Sequence, residues 1–237
     1  MKWVGEAVLL KKIDYSESSL ILSFCTKEHG LKKFLFKGAK KRKHAFVPFG
    51  TYEITYIDKG TDALSILTQL QWRLGKHPYY DNPKTSLVAF FCANFLHSAL
   101  IESEFDLPFY DSIARLSMKV FGDSTRIDLV PLEMIGKTIL YLGYCPDISG
   151  EYKPYLNLSS GEMSQFHSQA CVQLNIKEFE MLTFLLTKDT HTIEKKLHIE
   201  SETLKSTFKI LVDYAMIHIP KLDIRKSLEI IQDILYD

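Results

Sequence analysis

Five permanent cations fall within eight residues, Lys37-Gly38-Ala39-Lys40-Lys41-Arg42-Lys43-His44. Charges this dense repel one another, and an anionic partner relieves that repulsion. Lysine and arginine on a loop neutralise phosphates without reading sequence, and such binding weakens steeply with salt. Lys32 and Lys33 lie just upstream, and a hairpin turn can bring Lys27 to the same rim. Phe34, Phe36, Phe46, Phe49, Tyr52 and Tyr56 interleave with the run. Aromatics next to cations can stack on unpaired bases. Phe36 and Phe46 are the candidates for that role, and most of the others are expected in a core. A smaller basic island, Arg225-Lys226 with Lys221, can receive a partner's carboxylate or phosphate, or pair with Glu229 or Asp233.

Other chemistries lack their residues. No G-x-x-x-x-G-K-[ST] or G-x-G-x-x-G motif occurs, which argues against ATP hydrolysis and dinucleotide chemistry. No G-x-S-x-G elbow accompanies a nucleophile, and His198-Ile199-Glu200 has no downstream P-C-x-x-C to complete a deaminase site. Cys145 and Cys171 lie 26 positions apart with only His167 nearby, and His191 and His198 lack a third ligand in register. No metal or other cofactor is expected, and no catalytic residue is assigned.

The loop belongs to a basic half. Residues 1–80 carry 14 Lys/Arg against 7 Asp/Glu, a net of +7, and residues 81–237 carry 15 against 22, a net of −7. Such asymmetry points to nucleic acid, a membrane surface or an acidic partner. No apolar run approaches the roughly 18–20 residues that span a bilayer. The start, Met1-Lys2-Trp3-Val4-Gly5-Glu6, is not a signal peptide. A cytoplasmic protein is expected, with Cys25, Cys92, Cys145 and Cys171 as thiols and the first two in the core.

The elements that must position the loop are strands. Trp3–Leu10, Leu20–Thr26, Leu31–Phe36, Phe49–Asp58 and Ala63–Leu70 are rich in β-branched and aromatic residues, and Glu28-His29-Gly30 is a hairpin turn. Five short strands without an intervening helix predict a small antiparallel barrel of the OB type. After the linker His77–Pro83 the texture turns helical. Helices are expected from Thr85 or Ser86 to Ser103, and over Phe109–Phe121, Val130–Leu142, Lys177–Leu186, Ile193–Leu197 and Glu202–His218. Gly143 stops the third, Ser201 can cap the last, and Glu151–Glu162 is irregular. The expected architecture is α+β in two domains: an OB-fold over residues 1–80 and an all-α domain over 81–237.

These residues carry a family resemblance. Tyr15-x-Glu17-x-Ser19-Leu20-Ile21-Leu22 leading to Phe24-Cys25-Thr26-Lys27-Glu28-His29-Gly30 resembles the opening of RecO, the bacterial recombination mediator. Lys37-Gly38-Ala39-Lys40-Lys41, Leu142-Gly143-Tyr144-x-Pro146 and Arg225-Lys226-Ser227-Leu228 are similar to later RecO segments, in the same order. The resemblance implies an OB-fold and a helical domain, binding of single- and double-stranded DNA, and annealing of complementary strands. It also implies partnership with RecR and with the acidic C-terminal tail of single-stranded-DNA-binding protein, and indirectly the loading of RecA, without nucleotide hydrolysis. The DNA role carries over to Lys37, Lys40, Lys41, Arg42 and Lys43. Many members have four cysteines in paired spacing after the Gly-Tyr-x-Pro segment. Residues 147–162 here contain none, so a degenerate zinc-finger-like segment near 143–165 is expected to keep its outline without zinc. The competing readings are a protein adaptor whose basic loop meets an acidic protein, and a nuclease. The second would need clustered carboxylates, and the seven acids of the basic half are not paired closely.

Overall fold

A computed structural model describes residues 2–42, 46–60, 63–74, 82–101, 106–122, 126–148, 150–187 and 200–235. Lys43, His191 and His198, and the helix expected over Ile193–Leu197, lie outside the described residues.

Five strands form the first element: β1 (Lys2–Asp14), β2 (Leu20–Thr26), β3 (Gly30–Phe36), β4 (Thr51–Ile57) and β5 (Ser65–Trp72). They close into a barrel in the order β1-β2-β3-β5-β4, with β4 returning to β1. One ladder, β3 with β5, is parallel, where the sequence suggested antiparallel pairing throughout. β1 runs four residues past its expected end. An irregularity between Leu9 and Lys11 bends it, so its first half pairs with β4 and its second half with β2. A bulge is the usual device for such a change of neighbour. The bend carries β1 to Asp14, beside the start of β2 and the end of β3.

The barrel core follows the period-2 rule. Ala7 and Leu9, Leu20, Leu22 and Phe24, Phe34 and Phe36, and Tyr52, Ile54 and Tyr56 all point inward and are buried. Each large side chain so buried stabilises by roughly 1.5–3 kcal/mol. Phe34 meets Phe24 and Tyr56 edge to face, at centroid separations of 5.9 and 4.9 Å. The buried Tyr52 hydroxyl accepts from the Val47 N–H at 2.8 Å, so its polar atom is not orphaned. Cys25 and Cys92 are buried thiols, and desolvation pushes Cys25 up to about 12.

Two helices complete this unit, α1 (Pro83–Ala99) and α2 (Leu107–Phe121). The cap of α1 is Asn82 rather than Thr85 or Ser86. Its Oδ1 accepts from the Lys84 N–H at 2.9 Å, with Pro83 at the first helical position. Asp106 caps α2 in the same way through the Phe109 N–H. Both helices pack against β1, and α2 also against β4. The Ser117 hydroxyl donates to the Phe49 carbonyl at 2.6 Å, and the Tyr110 hydroxyl to Glu6 Oε1 at 3.1 Å. Residues 1–127 therefore form one compact unit and residues 128–237 a second. The first carries 18 Lys/Arg against 13 Asp/Glu, a net of +5, and the second 11 against 16, a net of −5.

In the second unit α3 (Val130–Tyr141), α4 (Ile176–Leu185) and α5 (Ser201–His218) pack on one another, and α6 (Arg225–Leu235) follows. Gly143, at φ +77, ends α3 as expected. The Tyr144 N–H reaches back to the Ile139 carbonyl and the Gly143 N–H to that of Leu140, the Schellman closure. Asn175 and Glu178 cap α4 reciprocally. α5 starts one residue earlier than expected: Ser201, the expected cap, is its first helical residue, and Glu200 takes the cap position. The unit is not all helical. β6 (Tyr155–Asn157), β7 (Met163–Ser164) and β8 (Cys171–Gln173) form a three-stranded sheet, with β6 inside the stretch Glu151–Glu162 expected to be irregular and the other two strands beyond it. Strands of two or three residues are too short to carry a readable alternation. Among the described residues no helix is long and apolar enough to cross a membrane.

Candidate nucleic-acid interface

The basic run leaves β3 at one end of the barrel. Gly38 adopts φ +67, a left-handed turn that glycine tolerates without steric cost. Ala39 then inserts into the barrel core and is fully buried. A 3-10 turn over Ala39–Lys41 follows, with the Lys41 N–H bonded to Gly38 O and the Arg42 N–H to Ala39 O. Anchored by one methyl group, the turn leaves Lys37, Lys40, Lys41 and Arg42 exposed.

Neighbouring strands hold this loop. The Lys40 N–H donates to the Ser18 carbonyl at 3.1 Å, and Lys40 Nζ lies 3.3 Å from Asp14 Oδ1. Arg42 Nη1 donates to the Thr68 carbonyl of β5 at 3.2 Å. Its guanidinium lies 4.8 Å from the Phe36 ring centroid. Phe36 meets Phe46 edge to face at 6.4 Å, and Lys12 Nζ sits 5.8 Å from the Phe46 centroid. Cation, ring, ring and cation thus run across the barrel end, each ring face attracting a positive charge.

This arrangement revises the aromatic expectation. Phe36 has 0% exposure and carries the guanidinium over its ring, so it is a core residue and not a platform for a base. Phe46 is half-buried against the same core. Lys37, Lys40, Lys41 and Arg42 come together at one end. Lys33 is half-buried on β3, three residues before the end of that strand. Lys32 is set apart, about 13 Å along β3 from Phe36 at the usual strand rise. It bonds Asp58 Oδ1 at 3.1 Å and lies 5.4 Å from the Tyr56 centroid. The Ser65 hydroxyl and the Lys32 ammonium hold the Asp58 carboxyl down at about 2. Burial, with Asp58 and Glu28 nearby, pushes the Tyr56 phenol up to about 12. Lys32 therefore has a local anion of its own.

Sequence reasoning missed Lys11 and Lys12, both exposed near the end of β1. The signal was the pair itself, readable only once the strand is known to run past Leu10. Arg225 and Lys226 are exposed in the first turn of α6, a helix the sequence reading did not anticipate.

The zinc-finger-like segment can be tested against its own donors. Cys145 Sγ lies against the Pro146 and Leu186 carbonyls, and Cys171 Sγ is 3.0 Å from Ser168 Oγ. Among the described residues no group of three or more His, Cys, Asp or Glu side chains is placed to hold a metal. The described residues of this segment do not fit a zinc site.

Known proteins agree with this outline. Residues 1–74 match the family model described as Recombination protein O N terminal. The chain is 24% identical to the DNA repair protein RecO of Flavobacterium psychrophilum, with 97% of each chain covered. The same identity and coverage hold for the DNA repair protein RecO of Flavobacterium johnsoniae. The namesake in Rhodopirellula baltica is 38% identical over 71 residues, 28% of this chain and 26% of that protein. The model match over the barrel and the two near-full-length likenesses make the chain similar to RecO proteins along almost its whole length.

Proposed function

We propose that this protein is a recombinational DNA repair mediator that binds single- and double-stranded DNA and anneals complementary strands. The observation that carries the reading is the loop Lys37–Arg42, held at the end of the barrel by the buried Ala39 with four cations outward. We read the barrel, within the first 80 residues, as an OB-fold DNA-binding domain. Relatives named as DNA repair proteins support the same reading.

The mechanism needs no covalent step. Lys33, Lys37, Lys40, Lys41, Arg42 and Lys43 neutralise phosphates, with Lys11 and Lys12 beside them. Two strands screened on one surface repel each other less, and their meeting is no longer opposed by charge. The second unit, net negative, works through proteins: RecR, and the acidic C-terminal tail of single-stranded-DNA-binding protein, whose terminal carboxylate Arg225 and Lys226 receive. RecA then loads on the remodelled strand, with the protein acting in the cytoplasm at the nucleoid.

The test is the salt dependence of binding to short mixed-sequence DNA. Replacing Lys40, Lys41 and Arg42 by Ala should weaken binding and lower the log–log salt slope by about 2–3, since each neutralised phosphate contributes about 0.7–0.9. An unchanged slope overturns the assignment. Affinity for an acidic protein with none for DNA would favour an adaptor. Annealing of naked and protein-coated strands, with and without RecR, tests the mediator role.

A further inference from the structure

We propose that Tyr15 is the base-stacking platform of the basic rim, and that it selects unpaired bases over duplex. The inference deepens the DNA-binding reading and rests on it.

The rim contains aromatic rings, but those beside the loop are occupied. Phe36 lies in the core beneath Arg42, and Phe46 is half-buried with Lys12 over its ring. Tyr15 differs in being 61% exposed. It sits in the turn between β1 and β2, and that turn is fixed. The Tyr15 and Ser16 N–H groups both donate to the Ser19 carbonyl, at 3.1 and 3.3 Å, and the Ser19 N–H donates to Ser16 Oγ at 3.2 Å. The ordering entropy of this backbone is spent on folding rather than on binding.

The turn also grips the basic loop from two sides. Asp14, the residue before Tyr15, pairs with the Lys40 ammonium, and Ser18, three residues after it, accepts from the Lys40 N–H. The backbone of an exposed tyrosine is thereby held one residue from a contact to the cation cluster. A single strand offers phosphate and base together, and a cationic groove lined with an aromatic ring recognises both. A duplex keeps its bases stacked on one another and offers this ring only its backbone. Among the described barrel residues the other exposed aromatic is Trp3, 36% exposed. It pairs with Tyr56 at the far end of the barrel, beside the Lys32–Asp58 pair, and is remote from the loop.

The experiment compares Tyr15→Ala and Tyr15→Phe with the parent chain, using fluorescence anisotropy on an oligonucleotide as single strand and as duplex. Tyr15→Ala should weaken single-strand binding about 5- to 100-fold, the range for loss of one stacked base. Duplex affinity should stay within about twofold, the salt slope should not move, and Tyr15→Phe should retain parental affinity. Unchanged single-strand binding by Tyr15→Ala, or an equal loss on both substrates, overturns the proposal. If Tyr15→Ala is neutral while the Lys40, Lys41 and Arg42 replacement still lowers the slope, the stacking role fails and the DNA reading stands. If the parent chain binds neither substrate, both fail.

Discussion

Lys40 Nζ lies 3.3 Å from Asp14 Oδ1, in the middle of the surface to which phosphate binding is assigned. Asp14 is an internal competitor for that phosphate. The pair is exposed on the carboxylate side, and exposed pairs contribute only about 0–1 kcal/mol. Exchanging the carboxylate for a phosphate therefore costs little. Asp14→Asn should tighten DNA binding about 2- to 5-fold at low salt, with the gain fading as salt rises. Anisotropy across a salt series checks this. Weaker binding by the variant would mean that Asp14 orients Lys40 rather than competing for it.

Gly38 should be intolerant of any side chain, for a reason confined to the backbone. No atom lies within 4 Å of where a Cβ would stand, so the cost is not a clash. It is the left-handed conformation, φ +67, which disfavours alanine by about 1 kcal/mol. Gly38→Ala should lower stability by that amount in urea unfolding. It should also weaken DNA binding, because a relaxed turn no longer aims Lys40 and Lys41 together. A stable variant with parental affinity would show that the loop binds without a fixed shape.

The barrel was legible in the sequence because its strands alternate. Phe34 and Phe36 on β3, and Tyr52, Ile54 and Tyr56 on β4, mark strands with two distinct faces, though spacing alone does not say which face turns inward. The basic loop was legible because five charges in eight residues have few other uses. What was not legible depended on partners distant in sequence. Phe36 looked like a stacking residue until its ladder with Leu20 put it inside. Lys32 looked like part of the cluster until β4 brought Asp58 to it. Lys12 and Tyr15 could not be assigned to this rim until the bend in β1 carried them there. The sheet Tyr155–Gln173 escaped because strands of two or three residues show no period.

Asp58 gives the barrel a defined acid limb. The Ser65 hydroxyl and Lys32 ammonium lower its carboxyl from 3.8 to about 2. A depressed folded value stabilises the fold when the carboxylate is charged. That contribution is complete above 3.8 and is lost as pH falls toward 2. Asp58→Asn should lower the melting temperature near neutral pH, and the gap to the parent should close as pH falls through this window. A gap independent of pH would show that Asp58 acts through packing. Lys32→Ala should share the stability loss and leave the DNA salt slope unchanged.

The segment 144–162 should keep its shape without metal, because hydrogen bonds from α5 close it. The Tyr214 hydroxyl donates to the Tyr144 carbonyl at 2.9 Å, and burial raises its phenol further above the neutral range in which it is already a donor. One turn later, His218 Nε2 lies 2.8 Å from the Leu158 carbonyl. A carbonyl only accepts, so that nitrogen carries the proton. The two rings lie 4.1 Å apart and brace each other. The Asp147 N–H donates to Gly161 O at 2.8 Å, drawing the two ends of the segment together. Where paired cysteines would tie such a segment through zinc, two side chains on one helix do so here. Chelator treatment should leave the melting temperature unchanged. Tyr214→Phe should cost about 1–3 kcal/mol, because it strands the Tyr144 carbonyl while keeping the ring. His218→Phe should cost a similar amount. A chelator-induced drop in stability, or full stability in both variants, would show that something other than this clamp holds the segment.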